Sequence, residues 1–511
     1  MMSILIFLTG MFPVTYADWP QWRGPHRNGV APGLHTVDIA LSDGALELLW
    51  ESETFPDRGG EGSVVVSEGI ACVLVNWRTE IPKDTRTINR RVLSQAGWLD
   101  VSRFPEGLLE KVEVGREELL RQRLRGGEQV KWIREWEKEN LVTEQEQKLM
   151  GVIERRFKDR QYPLPVENME GLGELENTTY DNAAALEAGL KAAGIVPPYL
   201  ERIIREVPTF DAVAVDVLLG LNVETGETLW KAEVPGESNG NLTSGTPAIH
   251  DGRVVVAASK YIFCTDLKTG ELLWRTQVGK LPAASSALIR DDVAYLMAGH
   301  LIALDLESGT VRWEQPAVKG NRSSPTWWKG RLLINTAQDD FCGIDAANGN
   351  LLWTVEGGGD ASPVLDGSIA VVHSKNRDLG LCAYRLGEVG AELLWKHPLD
   401  DSRGAASPVI KDGVAYFLGG DQVMSLDVES GQMHWKETAR AEITSPLLIG
   451  DKIVCKMGNG GYLSVYDTGT KRSSEIAKVR LKAARCPSPA YVNGALIVRG
   501  KENVAAYRLH R

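Results

Sequence analysis

The feature that most limits the fold of this chain is a nine-residue pattern that recurs about every 40 residues. An acidic residue begins the pattern, Gly lies four positions later, and Trp lies four positions after that Gly, as in Asp266, Gly270 and Trp274. A period near 40 indicates one supersecondary unit per repeat, so the fold must be built by adding similar units. Intervals of 44, 39, 40, 42 and 40 residues separate the tryptophans Trp230, Trp274, Trp313, Trp353, Trp395 and Trp435.

Each repeat contains four short β-rich runs. Within residues 407–435 these runs are separated by turn signals at Asp412-Gly413, Gly419-Gly420 and Ser430-Gly431. Apolar runs divided by such dipeptides predict successive hairpins, and therefore a four-stranded meander. Helical repeats of similar length are excluded, because the units show strand alternation and glycine turns. Four strands per 40-residue unit are typical of a β-propeller blade.

The two ends of the chain predict how the ring of blades closes. The unit at 488–509 supplies three strands, and residues 46–50, which end in Leu-Trp like other repeats, supply the fourth. Residues 62–77 begin a further blade that residues 212–232 complete. Sharing one blade between the termini would leave no exposed sheet edge. The sequence thus predicts an all-β, eight-bladed propeller, with seven blades as the alternative count.

Most blades start with a small hydroxyl residue followed by proline. Proline is tolerated at the first residue of a strand, where its missing N–H costs no ladder bond. We therefore interpret these serines as structural residues rather than nucleophiles. The predicted starts are Thr246, Ser286, Ser324, Ser362, Ser407, Ser445 and Ser488.

The repeat resembles the tryptophan-docking repeat of quinoprotein-type β-propellers. That superfamily includes pyrroloquinoline-quinone (PQQ) alcohol dehydrogenases and a non-enzymatic propeller subunit of the bacterial outer-membrane barrel-assembly machinery. Residues 18–29 resemble the opening of secreted bacterial PQQ-like repeat proteins. The resemblance implies that the tryptophans lock each blade to its neighbour. The tryptophans so assigned are Trp50, Trp230, Trp274, Trp313, Trp353, Trp395 and Trp435.

Between residues 78 and 211 the β-pattern is replaced by charged, helix-forming sequence. Thr143-Glu-Gln-Glu146 reads as a capping box, and apolar residues after it fall on one helical face. We predict a subdomain of four to six helices inserted between the second and third strands of the first blade. Our hypothesis is that it forms a lid or docking arm at the mouth of the central channel. Its apolar stripes are interpreted as its own core, or alternatively as a docking face.

The first residues read as an export signal. Residues 4–16 are largely apolar and end before Asp18, in a stretch too short for a membrane span. We therefore expect a signal peptide at 1–17, an extended segment at 18–45, the propeller at 46–77 and 212–511, and a periplasmic or extracellular location. A net charge of −11 disfavours nucleic acid as a partner.

Polar residues before the strand starts are the candidate binding residues. Mixed charge around an axial funnel could bind an anionic ligand, a peptide or a carbohydrate, or could belong to a hydrated channel with self-compensating charges. No metal-binding, phosphate-binding or nucleophile motif is found, and we assign no catalytic, cofactor or metal residue. The candidates are Asn241, Asn321, Arg322, Asp360, Arg403, Glu442 and Arg485.

Two functions follow from these observations. The first is a non-catalytic, exported scaffold or ligand-binding module of the cell envelope, with no cofactor and with envelope proteins or a small polar or carbohydrate ligand as partners. The alternative is a PQQ-dependent alcohol dehydrogenase-like oxidoreductase with PQQ and Ca²⁺. The resemblance implies an adjacent cysteine pair for many such enzymes, whereas the six cysteines here are scattered. We expect these cysteines to be core thiols.

Overall fold

Eight four-stranded antiparallel sheets dominate the computed structural model of this protein. It describes residues 18–39, 45–55, 60–159, 164–237, 245–279, 281, 283–320, 322–399, 404–439, 444–457, 461–469 and 475–510. The predicted signal peptide at 1–17 lies outside these residues. The chain divides into two compact units, one comprising Met1–Thr79 and Val213–Arg511, the other Glu80–Ala212.

The sheets follow one another along the chain, and the first strand completes the last sheet. Strand β1 (Glu47–Glu51) belongs to sheet 8. Sheet 1 contains β2 (Val65–Ser67), β3 (Ile70–Pro82), β6 (Phe210–Asn222) and β7 (Thr228–Pro235). Sheet 2 contains β8 (Ala248–His250), β9 (Arg253–Ala257), β10 (Tyr261–Asp266) and β11 (Leu272–Gln277). Sheet 3 contains β12 (Leu288–Arg290), β13 (Val293–Met297), β14 (Gly299–Asp305) and β15 (Val311–Gly320).

The remaining sheets repeat this order. Sheet 4 contains β16 (Thr326–Trp328), β17 (Arg331–Asn335), β18 (Asp340–Asp345) and β19 (Leu351–Glu356). Sheet 5 contains β20 (Val364–Asp366), β21 (Ile369–His373), β22 (Leu381–Leu386) and β23 (Ala391–His397). Sheet 6 contains β24 (Val409–Lys411), β25 (Val414–Gly419), β26 (Gln422–Asp427) and β27 (Met433–Thr438). Sheet 7 contains β28 (Leu447–Ile449), β29 (Lys452–Met457), β30 (Tyr462–Asp467) and β31 (Glu475–Arg480). Sheet 8 contains β32 (Ala490–Val492), β33 (Ala495–Arg499) and β34 (Val504–Arg508), which pairs with β1.

Apolar side chains fill the spaces between consecutive sheets. One buried cluster joins sheets 2 and 3, and others join each following pair. The largest contains Leu447, Tyr491 and Val73, so it joins sheets 7, 8 and 1, and a further cluster joins sheets 1 and 2. Burial therefore connects every sheet to the next and returns from the eighth to the first, as in a β-propeller.

The tryptophan of each repeat is placed by a β-bulge on the fourth strand. In sheets 1 to 6 the register shifts just beside the Trp, opposite a small residue such as Gly220, Ala303 or Gly343. A bulge re-aims the side chain that follows it. Because the opposing residue is small, the indole can lie across its own sheet and reach the next one.

Each indole contacts a turn of the following sheet. Trp274 Nε1 donates to the Leu306 carbonyl at 2.9 Å, and the same sheet presents Gly309 beneath the ring. Gly309 has φ +71°, and a Cβ there would lie within 3.0 Å of three Trp274 ring atoms. Glycine is thus required both by backbone conformation and by the ring. Equivalent hydrogen bonds join Trp50 to Val223, Trp230 to Leu267, Trp313 to Ala346, Trp395 to Val428 and Trp435 to Gly469.

Trp353 is the exception among the predicted docking residues. It is 7% exposed, close to the 8% of Trp274, but its Nε1 has no hydrogen-bond partner among the described residues. The turn that it would meet, in sheet 5, has Arg385 in the acidic position and is two residues longer than the pattern. The altered turn explains why no carbonyl meets this indole.

The acidic residue of the pattern caps the same turn. Asp305 Oδ1 accepts from the backbone N–H and the hydroxyl of Ser308 at 2.9 and 2.7 Å, and its Oδ2 accepts from Arg312 at 2.7 Å. The hydrogen bond from Arg312 has the largest effect, and together with those from Ser308 it holds the pKa of Asp305 well below its usual range. The acid therefore shapes the turn that presents Gly309 to Trp274.

Acidification is expected to weaken this cap. Because the folded pKa lies below the unfolded one, the Asp305 carboxylate stabilises the fold above pH ~4, and the effect is lost as the pH falls. Asp305→Asn should therefore make stability less dependent on pH between ~6 and ~3, by at most about 1 kcal/mol, since the pair is exposed. Urea denaturation at each pH measures this. Asp412→Asn, in a hairpin turn of sheet 6, is the control. If the free energy of unfolding changed with pH equally in both variants, the expectation would be contradicted.

The second unit, Glu80–Ala212, is mainly helical. The chain enters it from β3 and leaves it into β6, so it connects the second and third strands of sheet 1. It also contains two short 3₁₀ helices and a small sheet of β4 (Arg86–Ile88) with β5 (Thr178–Tyr180). Its α-helices are α1 (Arg90–Gln95), α2 (Leu108–Gln122), α3 (Gly126–Asn140), α4 (Glu144–Gln147), α5 (Met150–Lys158), α6 (Met169–Gly173), α7 (Ala183–Ala192) and α8 (Tyr199–Glu206).

The helices differ in number from the four to six expected. The described part of the unit has eight, because short helices such as α1, α4 and α6 span too few turns to show a periodicity. The capping box is present: Glu146 N donates to Thr143 Oγ1 at 3.2 Å, and Thr143 N donates to Glu146 Oε2 at 2.7 Å. The apolar stripes pack within the unit, where Ile133, Leu149 and Phe157 share one buried cluster.

All six cysteines are free thiols, as expected, and five of them are buried. Burial raises the pKa of Cys264 to about 12, so its thiol stays protonated at neutral pH. In the described ranges, no helix is both long and apolar enough to cross a membrane.

Candidate binding sites at the inner strands

We call the first strand of each sheet its inner strand. Hydroxyl groups near the starts of the inner strands link neighbouring sheets. The backbone N–H of Ser324 donates to Ser362 Oγ at 2.7 Å, and Ser362 N–H donates to Ser407 Oγ at 2.9 Å. The same bond joins the last sheet to the first, from Ser488 N–H to Ser63 Oγ at 2.9 Å. The other links run from Ser63 to Thr246, from Ser286 to Ser324 and from Ser407 to Ser445. These hydroxyls accept structural hydrogen bonds, which agrees with the structural role that we predicted for them.

A second set of buried polar residues ends the second strand of four sheets. Asn335 Nδ2 donates to the His373 carbonyl at 3.0 Å, and His373 Nδ1 lies 2.9 Å from the Ala406 carbonyl. Lys456 Nζ donates to the carbonyls of Ala484 and Pro487, and Arg499 Nη1 donates to that of Gly62 at 2.9 Å. His373, Lys456 and Arg499 reach the segment that leads into the first strand of the next sheet, whereas Asn335 Nδ2 reaches the end of the second strand of sheet 5. The sequence interpretation missed them, although a polar residue closing an apolar run in four repeats is a readable signal.

Lys456, Arg485 and Arg499 form what we call the cationic corner, between sheets 7, 8 and 1. Lys456 and Arg499 are each only 1% exposed, whereas Arg485 is exposed. Burial lowers the pKa of Arg499 to about 10, partly offset by Glu61, so the guanidinium is charged at pH 7. Its Nε and Nη2 have no hydrogen-bond partner within the described ranges. Glu61 is the acid at this corner and accepts from Cys486 N–H at 3.0 Å.

Three of the seven predicted funnel residues can be placed. Arg322 and Asp360 form an ion pair, with Arg322 Nη1 3.5 Å from Asp360 Oδ2. They precede the inner strands of sheets 4 and 5. Arg485 belongs to the cationic corner, and its carbonyl accepts from Thr444 Oγ1 at 2.9 Å. Asn241, Asn321, Arg403 and Glu442 lie outside the described residues.

The N-terminal segment, residues 18–39, is bound along the inner strands. Trp19 pairs with Val66 in sheet 1, and the Pro20 carbonyl accepts from Ile249 N–H of sheet 2 at 2.7 Å. Further along, Ala31 N–H donates to the Leu448 carbonyl of sheet 7 at 2.8 Å. We expected an extended segment here and assigned it no site.

Two arginines fix this segment. Arg23 is 1% exposed and donates to the carbonyls of Asn28 and Pro408. Arg27 Nη1 donates to the Ala287 carbonyl at 2.6 Å and to Gln21 Oε1 at 3.2 Å. Burial lowers the pKa of both guanidinium groups to about 9. This value is still above neutral pH, so both groups remain charged.

A cavity of about 620 Å³ lies between this segment and sheets 2 to 5. Gln21, His26, Arg27 and Asn28 line one side of it. The inner strands and their first turns supply the other side, including His250, Arg290, Asp291, Thr326 and Trp327. The lining therefore combines polar and charged groups, including Arg27 and Arg290, with aliphatic and proline side chains and the Trp327 ring.

Comparisons with known proteins place these features in a family. The family model described as outer membrane protein assembly factor BamB matches residues 209–299, 262–391 and 383–510. BamB of Moranella endobia is 20% identical over 331 residues, which cover 59% of this chain and 82% of that protein. Tetrathionate hydrolase of Acidithiobacillus ferrooxidans is 32% identical over 175 residues, but the match spans only 35% of its length and 29% of this chain.

A solved structure supports the fold. Quinohemoprotein alcohol dehydrogenase from Comamonas testosteroni aligns over 96% of this chain and 80% of its own, with a TM-score of 0.52 and 10% identity. At that identity the likeness concerns the fold alone. The family model, by contrast, covers more than half of the chain, so this protein is a PQQ-like repeat protein and belongs to the family described as outer membrane protein assembly factor BamB.

Proposed function

We propose that this protein is an exported, non-catalytic scaffold of the cell envelope that binds other envelope proteins. The match of the family model to residues 209–510 carries this proposal, since it includes all or part of every sheet. In this proposal the eight sheets are the blades of one closed propeller, the helical unit is an insertion in its first blade, and residues 1–17 are a cleaved signal peptide. Sequencing the N-terminus of protein recovered from the envelope tests the export step.

The cationic corner is the contact site that we propose for a partner. Arg499 carries a buried charge with Glu61 as a neighbouring acid, the buried Lys456 amine donates to the carbonyls of Ala484 and Pro487, and Arg485 is exposed at the same corner. In a chain of net charge −11, a positive site of this kind favours an acidic segment of the partner. Charge of this type mainly guides association and selects the partner.

Reversing one charge at the corner is expected to reduce partner capture. A photo-crosslinking residue at the exposed Lys482 position should form an adduct with a discrete envelope protein, and Arg485→Glu should reduce its yield by about tenfold through like-charge repulsion. Lys436→Glu, an equal charge change on β27, is the matched control. An adduct that is insensitive to Arg485→Glu, or equally reduced by the control, would contradict the proposal.

The quinoprotein alternative can be tested against the same residues. Calcium takes roughly six to eight oxygen ligands. In the part of the chain that the structure describes, no three His, Cys, Asp or Glu side chains are placed to hold a metal. The buried carboxylate of Asp216 already accepts hydrogen bonds from Asn76 and Ser259. We therefore propose no calcium site among the described residues and derive no catalytic step from them.

Reconstitution distinguishes the two functions. Purified protein is incubated with PQQ and Ca²⁺ and assayed for quinone absorbance and dye-coupled alcohol oxidation. We expect neither signal. Alcohol oxidation that depends on both PQQ and Ca²⁺ would contradict the scaffold function and support the oxidoreductase function.

A further inference from the structure

We propose that the cavity between the N-terminal segment and sheets 2 to 5 binds a small carboxylate-bearing ligand, such as a sugar acid or an acidic dipeptide. Arg27, Arg290 and Trp327 are the residues that would recognise it. This site is separate from the cationic corner and does not depend on the proposed scaffold function.

The wall formed by the N-terminal segment is fixed before any ligand arrives. Backbone bonds hold it at Trp19, Pro20 and Ala31, on sheets 1, 2 and 7. Arg27 adds bonds to the carbonyls of Ser286 and Ala287, which lead into the first strand of sheet 3. A binding site whose walls are already ordered loses less conformational freedom on binding, which favours affinity.

Arg27 supplies a charge that no carboxylate among the described residues pairs with. Its hydrogen bonds all go to neutral oxygens, those of Ala287, Ser286 and Gln21. The group lies deep enough for burial to lower its pKa, yet it is part-exposed because it lines the cavity. An uncompensated guanidinium at a cavity wall is a strong donor for a carboxylate.

Arg290 and Trp327 form the second recognition element. The guanidinium carbon of Arg290 lies 5.3 Å from the centre of the Trp327 ring, a cation–π contact that restrains both side chains. The Tyr295 ring supports Trp327 at 6.4 Å. Asp291 is the one acid among the described lining residues and is exposed. The lining thus combines two arginines with an aromatic surface and the hydrogen-bonding groups of Gln21, Asn28 and Thr326.

The size of the cavity limits the ligand. About 620 Å³ lies within the range of small-molecule sites, which is roughly 300–1,000 Å³. A disaccharide or a dipeptide fits this range, whereas a folded protein does not. His26 is exposed at the rim, so the cavity communicates with solvent.

Calorimetry with three probes tests the proposal. Full-length protein is titrated with digalacturonate, with its neutral analogue digalactose, and with the dipeptide Glu-Glu. At least one of the two acids should bind in a 1:1 ratio and about tenfold or more tightly than digalactose, and the acid that binds better identifies the source of the carboxylate. Equal affinity for both acids would make the carboxylate itself the determinant, which also supports the proposal.

Two arginine variants make the test specific to the cavity. Arg290→Gln should weaken binding of the acid by about tenfold. Arg331→Gln is the matched control, because Arg331 lies 5.4 Å from the Trp328 ring in the same kind of contact but outside the cavity lining. Thermal melting of both variants verifies that they are folded. The proposal is overturned if no acid binds, if digalactose binds equally well, or if both variants weaken binding equally.

Discussion

Gly309→Ala is expected to lower the free energy of unfolding by about 2–5 kcal/mol. The left-handed conformation of Gly309, φ +71°, costs an L-residue about 1–2 kcal/mol. The new Cβ also collides with the Trp274 ring, which cannot withdraw because its Nε1 is bonded to the Leu306 carbonyl. Overpacking of this kind costs about 1–3 kcal/mol more. Equilibrium urea denaturation followed by tryptophan fluorescence measures the loss.

Gly252→Ala separates the two causes. Gly252 has nearly the same backbone conformation, φ +70°, but a Cβ there would meet nothing within 4 Å. Only the backbone cost of about 1–2 kcal/mol should remain. Equal losses for the two variants would show that the ring above Gly309 contributes nothing, and would refute the docking role of the motif glycine.

Trp274→Ala is expected to cost about 4–8 kcal/mol. Removing a buried tryptophan leaves a cavity between sheets 2 and 3, a change that typically costs about 3–5 kcal/mol. The Leu306 carbonyl also loses its donor, and a buried group without a partner costs about 1–3 kcal/mol. The shift in urea midpoint at unchanged m-value measures this loss.

Trp353→Ala provides the comparison for the hydrogen bond. Trp353 is 7% exposed and Trp274 8%, so the buried surface lost is similar, but no carbonyl in the described part of the chain is bonded to Trp353 Nε1. Its cost should therefore be smaller by about 1–3 kcal/mol. A loss for Trp353→Ala as large as that for Trp274→Ala would mean that the indole N–H contributes nothing to docking.

Much of the β architecture was predictable because the signals are local and repeated. The Gly-containing turns and alternating strands specify each meander from nearby residues, and the pairing of β1 with β34 follows from a repeat missing one strand. The small residue opposite each tryptophan, for example Gly220 or Ala303, was also visible in the sequence. The reason for the small residue was not visible, because the β-bulge that brings the tryptophan opposite it is seen only once the strands are paired.

The sites were less predictable because they join residues that are distant in sequence. Arg27 meets Ala287, and Arg499 meets Gly62, across gaps of 260 and 437 residues. A buried arginine in a strand gives no sign of the carbonyl that it will reach. Likewise, the sequence predicted an extended segment at 18–45 but gave no sign of which strands residues 19–27 would cover.

The sequence by itself determined the repeat, the four-stranded meanders and the residues that join neighbouring units, because these depend on hydrogen bonds and turns within about 40 residues. Only the tertiary structure decided where the N-terminal segment lies, which polar side chains are buried together, and that a cavity of about 620 Å³ remains beside Arg27. The physical reason is that burial and electrostatic environment are set by neighbours in space, and no local pattern specifies a neighbour that lies hundreds of residues away.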